Sequence, residues 1–523
     1  MTVKHFRNCT RTAHLVLPCV GAFLASAFPA TASQAPEATT AIVGATVIDG
    51  NGGPPLPDAT IVIEGERIAE IGPRASVTVP EGTHIIDGAG KYVTPGIVDT
   101  NVHMGPITGG ATGEYTFARY WDRLEDLILQ GVQGQLKYGV TTVRDSYGPP
   151  EALMAVRDSI ATGVWVGPRM YVAGNILGWE GPSTRRAPPR SELTFFQEQL
   201  DDLFTLGTAE EFLNMTPDEM RVAMNVYLDR GVDFIKYNGT SHTTPALISF
   251  SPRVQRVIVE ETHKRGLVAE THSTSLEGLR LSLLAGIDVV QHPENVGLRV
   301  ITDELVDLIV ERGVICSLLP NKYTGRIWQQ RLEQREEARK AQAEAKDGPQ
   351  RRIRRTSFEI RRDVQATGLR DPGTIYWSNL EARWANGQKL IQGGCVVSVG
   401  ADNLLFGRPG VAPEFLREDH PVPEHLEPGI GTIVAIEGLV ELGMSPAEAI
   451  VAATKHGAMA CKALDEFGTL EVGKLADILV LGADPLADIS NIRKLEVVMK
   501  AGEFIDIDSL PTNPITGIWS SVR

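Results

Sequence analysis

Eight short strand-like runs alternate with helical stretches through the middle of this chain. They are Gly96–Val102, Val140–Asp145, Arg169–Ala173, Phe234–Tyr237, Val268–Thr271, Asp288–Gln291, Val314–Leu318 and Val396–Gly400. Helical segments such as Pro252–Arg265 and Ser275–Ala285 fall between them. The alternation predicts a parallel α/β architecture, because parallel neighbours are joined by crossovers and not by hairpins. Eight such units over residues 96–465 predict a TIM-like (β/α)8 barrel, with its working residues at the C-terminal strand ends. A doubly wound open sheet is the competing arrangement.

Polar residues gather where these runs end. In Val98-Asp99-Thr100-Asn101-Val102-His103-Met104, strand alternation turns Asn101 and His103 the same way. Lys236 lies inside Val232-Asp233-Phe234-Ile235-Lys236-Tyr237, and His272 closes Val268-Ala269-Glu270-Thr271-His272. His292 follows Val289-Val290-Gln291, and Asp402 follows Val399-Gly400-Ala401. Each alone has a plain structural explanation: a hydrogen-bonded polar pair, a lysine snorkelling to a rim, a satisfied histidine, a carboxylate capping the next helix. Five strand ends carrying such residues point to one shared site, which an open sheet would not assemble. A buried lysine is costly when charged, so burial lowers its pKa and frees the amine. One outcome is reaction with carbon dioxide to give an anionic carbamate. Neutral imidazoles suit zinc and similar borderline metals.

Together these residues resemble the amidohydrolase superfamily of metal-dependent hydrolases, most closely its imidazolonepropionase-like and dipeptidase-like branch, over about residues 41–510. The family pattern is His-x-His, then a lysine, two single histidines and an aspartate, at the ends of barrel strands 1, 4, 5, 6 and 8. Here those positions read Asn101/His103, Lys236, His272, His292 and Asp402. The resemblance implies one or two divalent metals per chain, with zinc first among the candidates. It implies His103, a carboxylated Lys236, His272, His292 and Asp402 as ligands. It also makes Asp402 the general base, which takes a proton from the attacking water and passes it to the leaving group. Gly473-Lys474-Leu475-Ala476-Asp477-Ile478 resembles the family's C-terminal strand, and Lys455-His456-Gly457-Ala458 its Thr-x-x-x-Ala segment.

Asn101 departs from the pattern. An asparagine offers only its amide oxygen, a harder and weaker zinc ligand than imidazole. Three outcomes are open. A second metal binds weakly through Asn101, His103, the carbamate and Asp402. A single metal sits chiefly on Lys236, His272 and His292. Or the site has decayed. The retained ligands favour a single or asymmetric site.

The rest of the chain frames this centre. Residues 1–32 read as a cleavable secretory signal: Lys4, Arg7 and Arg11 precede an apolar Leu15–Phe28 run and a small-x-small Ala30-Thr31-Ala32 site. Export to the periplasm or medium follows, with cleavage after Ala32 and no membrane association afterwards. Removing the three basic residues takes the formal charge from −15 to about −18. That excludes nucleic acid and anionic membranes as partners. Cys316, Cys395 and Cys461 remain, in apolar contexts that read as core. Short β runs Ala41–Ile48, Ala59–Ile63, Arg67–Ile71 and His84–Asp87 end at a Thr94-Pro95-Gly96 turn, and Ala476–Leu481 and Leu495–Lys500 share their texture. The expectation is a small β-sandwich domain, 41–95 plus 466–510, built from both chain ends. Insertions at about 175–217 and 323–367 interrupt the barrel. The second has the composition of a solvated helix pair broken at Asp347-Gly348-Pro349. It reads as a lid or as an arm for a homo-oligomer.

The expected activity is hydrolysis of an amide bond in a small molecule such as an N-acyl amino acid, a dipeptide or a cyclic amide. A lactone or ester hydrolase or a lyase on the same scaffold, and a degenerate binding protein, are the alternatives. Substrate contacts are assigned to His242, Tyr147 and His420, with His425, Trp179, Arg185 and Arg186 behind them. His84 and His456 read as structural.

Overall fold

The computed structural model describes residues 39–105, 118–179, 193–205, 207–241, 247–344, 372–405 and 424–515. The expected signal at residues 1–32, His242, His420, Arg185, Arg186 and the expected helix break at 347–349 lie outside the described residues. Among the described residues, no helix is long and apolar enough to cross a membrane.

The chain opens with five strands, β1 (Thr39–Val47), β2 (Leu56–Glu64), β3 (Arg67–Pro73), β4 (His84–Asp87) and β5 (Tyr92–Pro95). The centre supplies β6 (Ile97–His103), β7 (Val140–Asp145), β8 (Arg169–Val172), β9 (Ile176–Leu177), β10 (Phe234–Asn238), β11 (Val268–His272), β12 (Val289–Gln291), β13 (Ile315–Leu318), β14 (Val397–Val399) and β15 (Asn403–Leu404). The C-terminal region adds β16 (Ile478–Leu481), β17 (Leu495–Lys500) and β18 (Glu503–Ile505).

The two chain ends meet in one hydrogen-bonded sheet, ordered β18-β17-β16-β5-β1-β2-β3, with β4 beside β1. The join is β16 against β5, where Ile478 faces Pro95 and Leu481 faces Tyr92. Tyr92–Pro95 is therefore a strand and not the end of a turn. Proline is tolerated there because it closes the strand. One apolar cluster fills this region from both ends, with Ile42, Val47, Ile61 and Val93 meeting Ile478, Val480 and Met499. The β17–β18 turn holds Ala501 and Gly502 at φ of 47° and 77°. That pair of positive angles is the geometry of a tight hairpin.

All eight expected central runs are strands, each close to its expected bounds, and they pair in parallel. They form two arcs, β15-β6-β7-β8 and β14-β13-β12-β11-β10-β9. Both junctions between arcs are bridged. The Thr100 hydroxyl in β6 lies 2.8 Å from Ser317 Oγ and 3.0 Å from Ser398 Oγ, and donates to Val399 O at 2.8 Å. At the other junction Asp233 N donates to Val172 O at 2.9 Å, and Asp233 Oδ2 accepts Val172 N at 2.9 Å. Strand register places Asn238, His272, Gln291, Ser317 and Ser398 in one row across five neighbouring strands. The buried Arg144–Glu270 pair, 2.5 Å apart, ties β7 of one arc to β11 of the other.

The helices between strands start and stop where their chemistry says. Pro252–Lys264 begins behind Ser251, whose side chain accepts from Val254 N, with proline in the first turn. Leu276–Ala285 ends at Gly286 in the left-handed region, φ 93°. The second insertion contains α1 (Gly325–Glu344), and α2 (Pro372–Gln392) follows it. Trp328 and Trp384 stack between them at 4.3 Å, and Arg331 pairs with Glu381 at 2.7 Å. The α1 helix is not wholly solvated, since Ile327 is buried, and α2 buries Leu380, Asn386 and Leu390; the rest of the expected solvated pair lies outside the described residues. Cys316, Cys395 and Cys461 are free thiols, all buried.

Candidate active site at the strand ends

β6 and the segment after β14 build one half of the site. The β6 register slips by one residue, with Asp99 opposite Val143 but Val102 opposite Asp145. Such a bulge re-aims side chains. Asp99 reaches Thr432 Oγ1 at 2.6 Å and accepts Asn101 N at 3.0 Å and Ala401 N at 3.2 Å. Asn101 is fully buried, and neither its Oδ1 nor its Nδ2 has a partner among the described residues. An unpaired buried amide costs stability unless something else satisfies it. His103 Nε2 lies 3.0 Å from Asp402 Oδ1, and Asp402 N donates to Asn101 O at 2.7 Å.

His272 and His292 build the other half. Their rings stack at 5.8 Å and 19°. His272 Nε2 meets Asn238 Oδ1 at 2.9 Å, and Trp179 stands edge-on to His272 at 5.0 Å. His292 and Asp402 both occupy the left-handed region, with φ of 39° and 50°. Only five described non-glycine residues do so, and backbone strain of this kind concentrates at functional sites.

Lys236 is buried at 2% exposure. Burial pushes its amine down to about 8, against the pull of the Glu270 and Asp402 carboxylates, while Arg144 adds to the drop. The same burial holds His292 down to about 3, with the Lys236 charge helping. His103 is lowered by burial despite Asp402, so both imidazoles are neutral. Burial raises the Asp402 carboxyl, but the His103 hydrogen bond and the Lys322 charge outweigh it. They hold Asp402 well below the usual carboxylate range. A neutral His103 therefore donates to an ionised Asp402. Its Nδ1 has no partner among the described residues.

These donors fit a divalent metal chemically: neutral imidazoles, an ionised carboxylate, a deprotonatable buried amine and an unsatisfied amide. Geometrically they stand as two pairs, His103 with Asp402 and His272 with His292. No three His, Cys, Asp or Glu side chains among the described residues converge as one metal-holding group.

Tyr147 is in the core, edge-on to His103 at 6.2 Å and tilted against Phe204 at 5.5 Å. His425 contributes a backbone carbonyl to Asn321, and His456 Nδ1 lies 2.7 Å from Val397 O. His84 packs edge-on against Phe504. Sequence reasoning missed the supporting shell. Asn238 and Glu270 stand two residues from Lys236 and His272 on the same strands, so alternation alone would have found them. Arg144, Ser146, Gln291 and Glu270 form a buried network, with Gln291 Nε2 donating to Ser146 Oγ at 2.6 Å. Arg383 pairs with the buried Glu294 at 2.7 Å beside His292, a contact that α2 makes from far along the chain.

The profile of the Amidohydrolase family matches residues 92–505. Imidazolonepropionase of Brevibacillus brevis is 22% identical over 496 residues, covering 86% of this chain and 90% of that protein. Among solved structures, molinate hydrolase superposes with a TM-score of 0.76 at 30% identity, covering 92% of this chain and 97% of that one. Phenylurea hydrolase B superposes at 0.72 and 30%, covering 92% and 99%. With its family match spanning most of its length, this chain belongs to the amidohydrolase family, as an amidohydrolase-type enzyme acting on carbon–nitrogen bonds.

Proposed function

We propose that the protein hydrolyses the amide bond of a small substrate, such as an N-acyl amino acid, a dipeptide or a cyclic amide, with Asp402 as general base. The observation that carries this is the 3.0 Å contact of His103 Nε2 with an ionised Asp402, next to a buried, depressed Lys236. His103, Lys236, His272, His292 and Asp402 would hold the metal, with Asn101 a weaker donor through its amide oxygen. Lys236 would serve as a carbamate. Bound there, a divalent metal, zinc first, supplies a Lewis acid that polarises a carbonyl and lowers the pKa of a water. Asp402 would take the proton of the attacking water as its oxygen bonds to the amide carbon, and would pass that proton to the leaving nitrogen as the C–N bond breaks. His103 keeps Asp402 ionised and aimed. Two similar structures are named for hydrolases of molinate and of a phenylurea.

The architecture goes with this reading. The two bridged arcs are one (β/α)8 barrel over 96–465, and the sheet from both chain ends folds into a sandwich over 41–95 plus 466–510. Residues 1–32 are a leader that directs export. The test is hydrolysis across amide, ester and lactone panels by zinc-loaded protein, beside Asp402→Asn. Amide turnover should fall by about 100-fold or more in the variant. Turnover confined to lactones would move the reading to the alternative. No turnover on any panel would sink it.

A further inference from the structure

Asp402 holds a left-handed backbone, which is uncommon for a non-glycine residue although aspartate enters it more readily than most. Support for it comes from the short turn Pro320–Lys322 that follows β13. Asn321 is fully buried, and its Nδ2 donates to Ala401 O at 2.7 Å and to His425 O at 2.8 Å. Its Oδ1 has no partner among the described residues. Both of its bonds are donated, and a flipped amide would set oxygen against two carbonyls. Lys322 Nζ donates to Asp402 O at 2.9 Å and forms no ion pair among the described residues. From the opposite side, Asp402 N donates to Asn101 O and Ala401 N to Asp99 Oδ1. Consecutive carbonyls at 401 and 402 are thus pinned from one side, and the matching amides from the other.

We infer that Asn321 and Lys322 are positioning residues, which clamp the strained 401–402 backbone so that the Asp402 carboxylate stays on His103. The functional consequence rests on the reading of Asp402 given above, while the clamp itself is a statement about backbone. Without these donors the segment relaxes toward negative φ and the carboxylate swings off the imidazole.

The test uses the full chain and two readouts, with variants Asn321→Leu, Lys322→Met and Lys322→Arg. Hydrogen exchange over residues 399–405 reads the clamp. Cobalt(II) binding, followed through its visible absorption bands, reads the consequence. Asn321→Leu and Lys322→Met should speed exchange in 399–405, with Asn321→Leu also loosening the turn at 424–427 that it bonds, and leave the distant strands unchanged. They should also shift the cobalt bands and weaken cobalt affinity by about tenfold. Lys322→Arg, which keeps a donor, should restore both. Unchanged exchange and spectra in the folded variants would overturn the inference. So would exchange that rises uniformly through the chain. If Asn321→Leu does not fold, Lys322→Met at the turn's edge decides. If the unmodified protein binds no cobalt, the metal reading of Asp402 falls, and the exchange measurement still decides the clamp.

Discussion

Lys236 ties the electrostatics of the site to stability at the residue scale. Its amine stands at about 8 in the folded chain against an ordinary 10.5, so between those values the unfolded chain holds a proton that the folded chain has released. Stability therefore rises with pH through that window, and below about pH 8 the fold bears the full cost of a buried charge. In metal-free, CO2-depleted buffer, Lys236→Met should be more stable than the parent at pH 7, by on the order of 3 kcal/mol. The gap should close above the unfolded pKa. Urea melts at pH 7 and near 10.5 check this, and a variant less stable at pH 7 would contradict it. The site positions were legible one residue at a time because each ends an apolar run. Asn238 and Glu270 were within reach of the same alternation. Asn321, Lys322, Glu294 and Arg383 were not, because what brings them to the site is tertiary approach across 80 or more residues, as between Lys322 and Asp402.

Among the elements, the eight central strands were readable because seven are buried along their whole length, while β8 alternates buried with half-buried positions. Two details were not. Thr94-Pro95-Gly96 reads as a turn because proline reads as a breaker, yet Thr94 and Pro95 pair with β16. The bulge in β6 leaves no local signature, since two residues opposing one depends on the partner strand. The Arg144–Glu270 pair is a fully buried tie between the arcs. Arg144→Met should cost about 3–5 kcal/mol, because it strands the Glu270 charge in a dry interior. Arg144→Met with Glu270→Leu should recover much of that loss. Denaturation of both variants decides it, and a single variant as stable as the parent would mean the arcs do not depend on this pair.

For the whole molecule, the sheet from both chain ends makes the C-terminal strands part of the fold's closure. A chain ending at residue 465 loses β16, uncovers the β5 edge and removes Ile478, Val480 and Met499 from a shared apolar cluster. It should aggregate, as exposed edges and apolar faces do. Soluble, folded protein from that truncation would argue for independent parts.

Lys236, His272, His292, His103 and Asp402 would together form a metal site weakened on one side by Asn101. Metal content of the purified full chain after mild dialysis, beside Lys236→Ala and Asn101→His, tests it most directly. The account predicts about one metal per chain, as in sites with one set of strong donors. The lysine variant should lose it, and Asn101→His should gain a second. No metal in the parent chain under any loading condition would contradict the account.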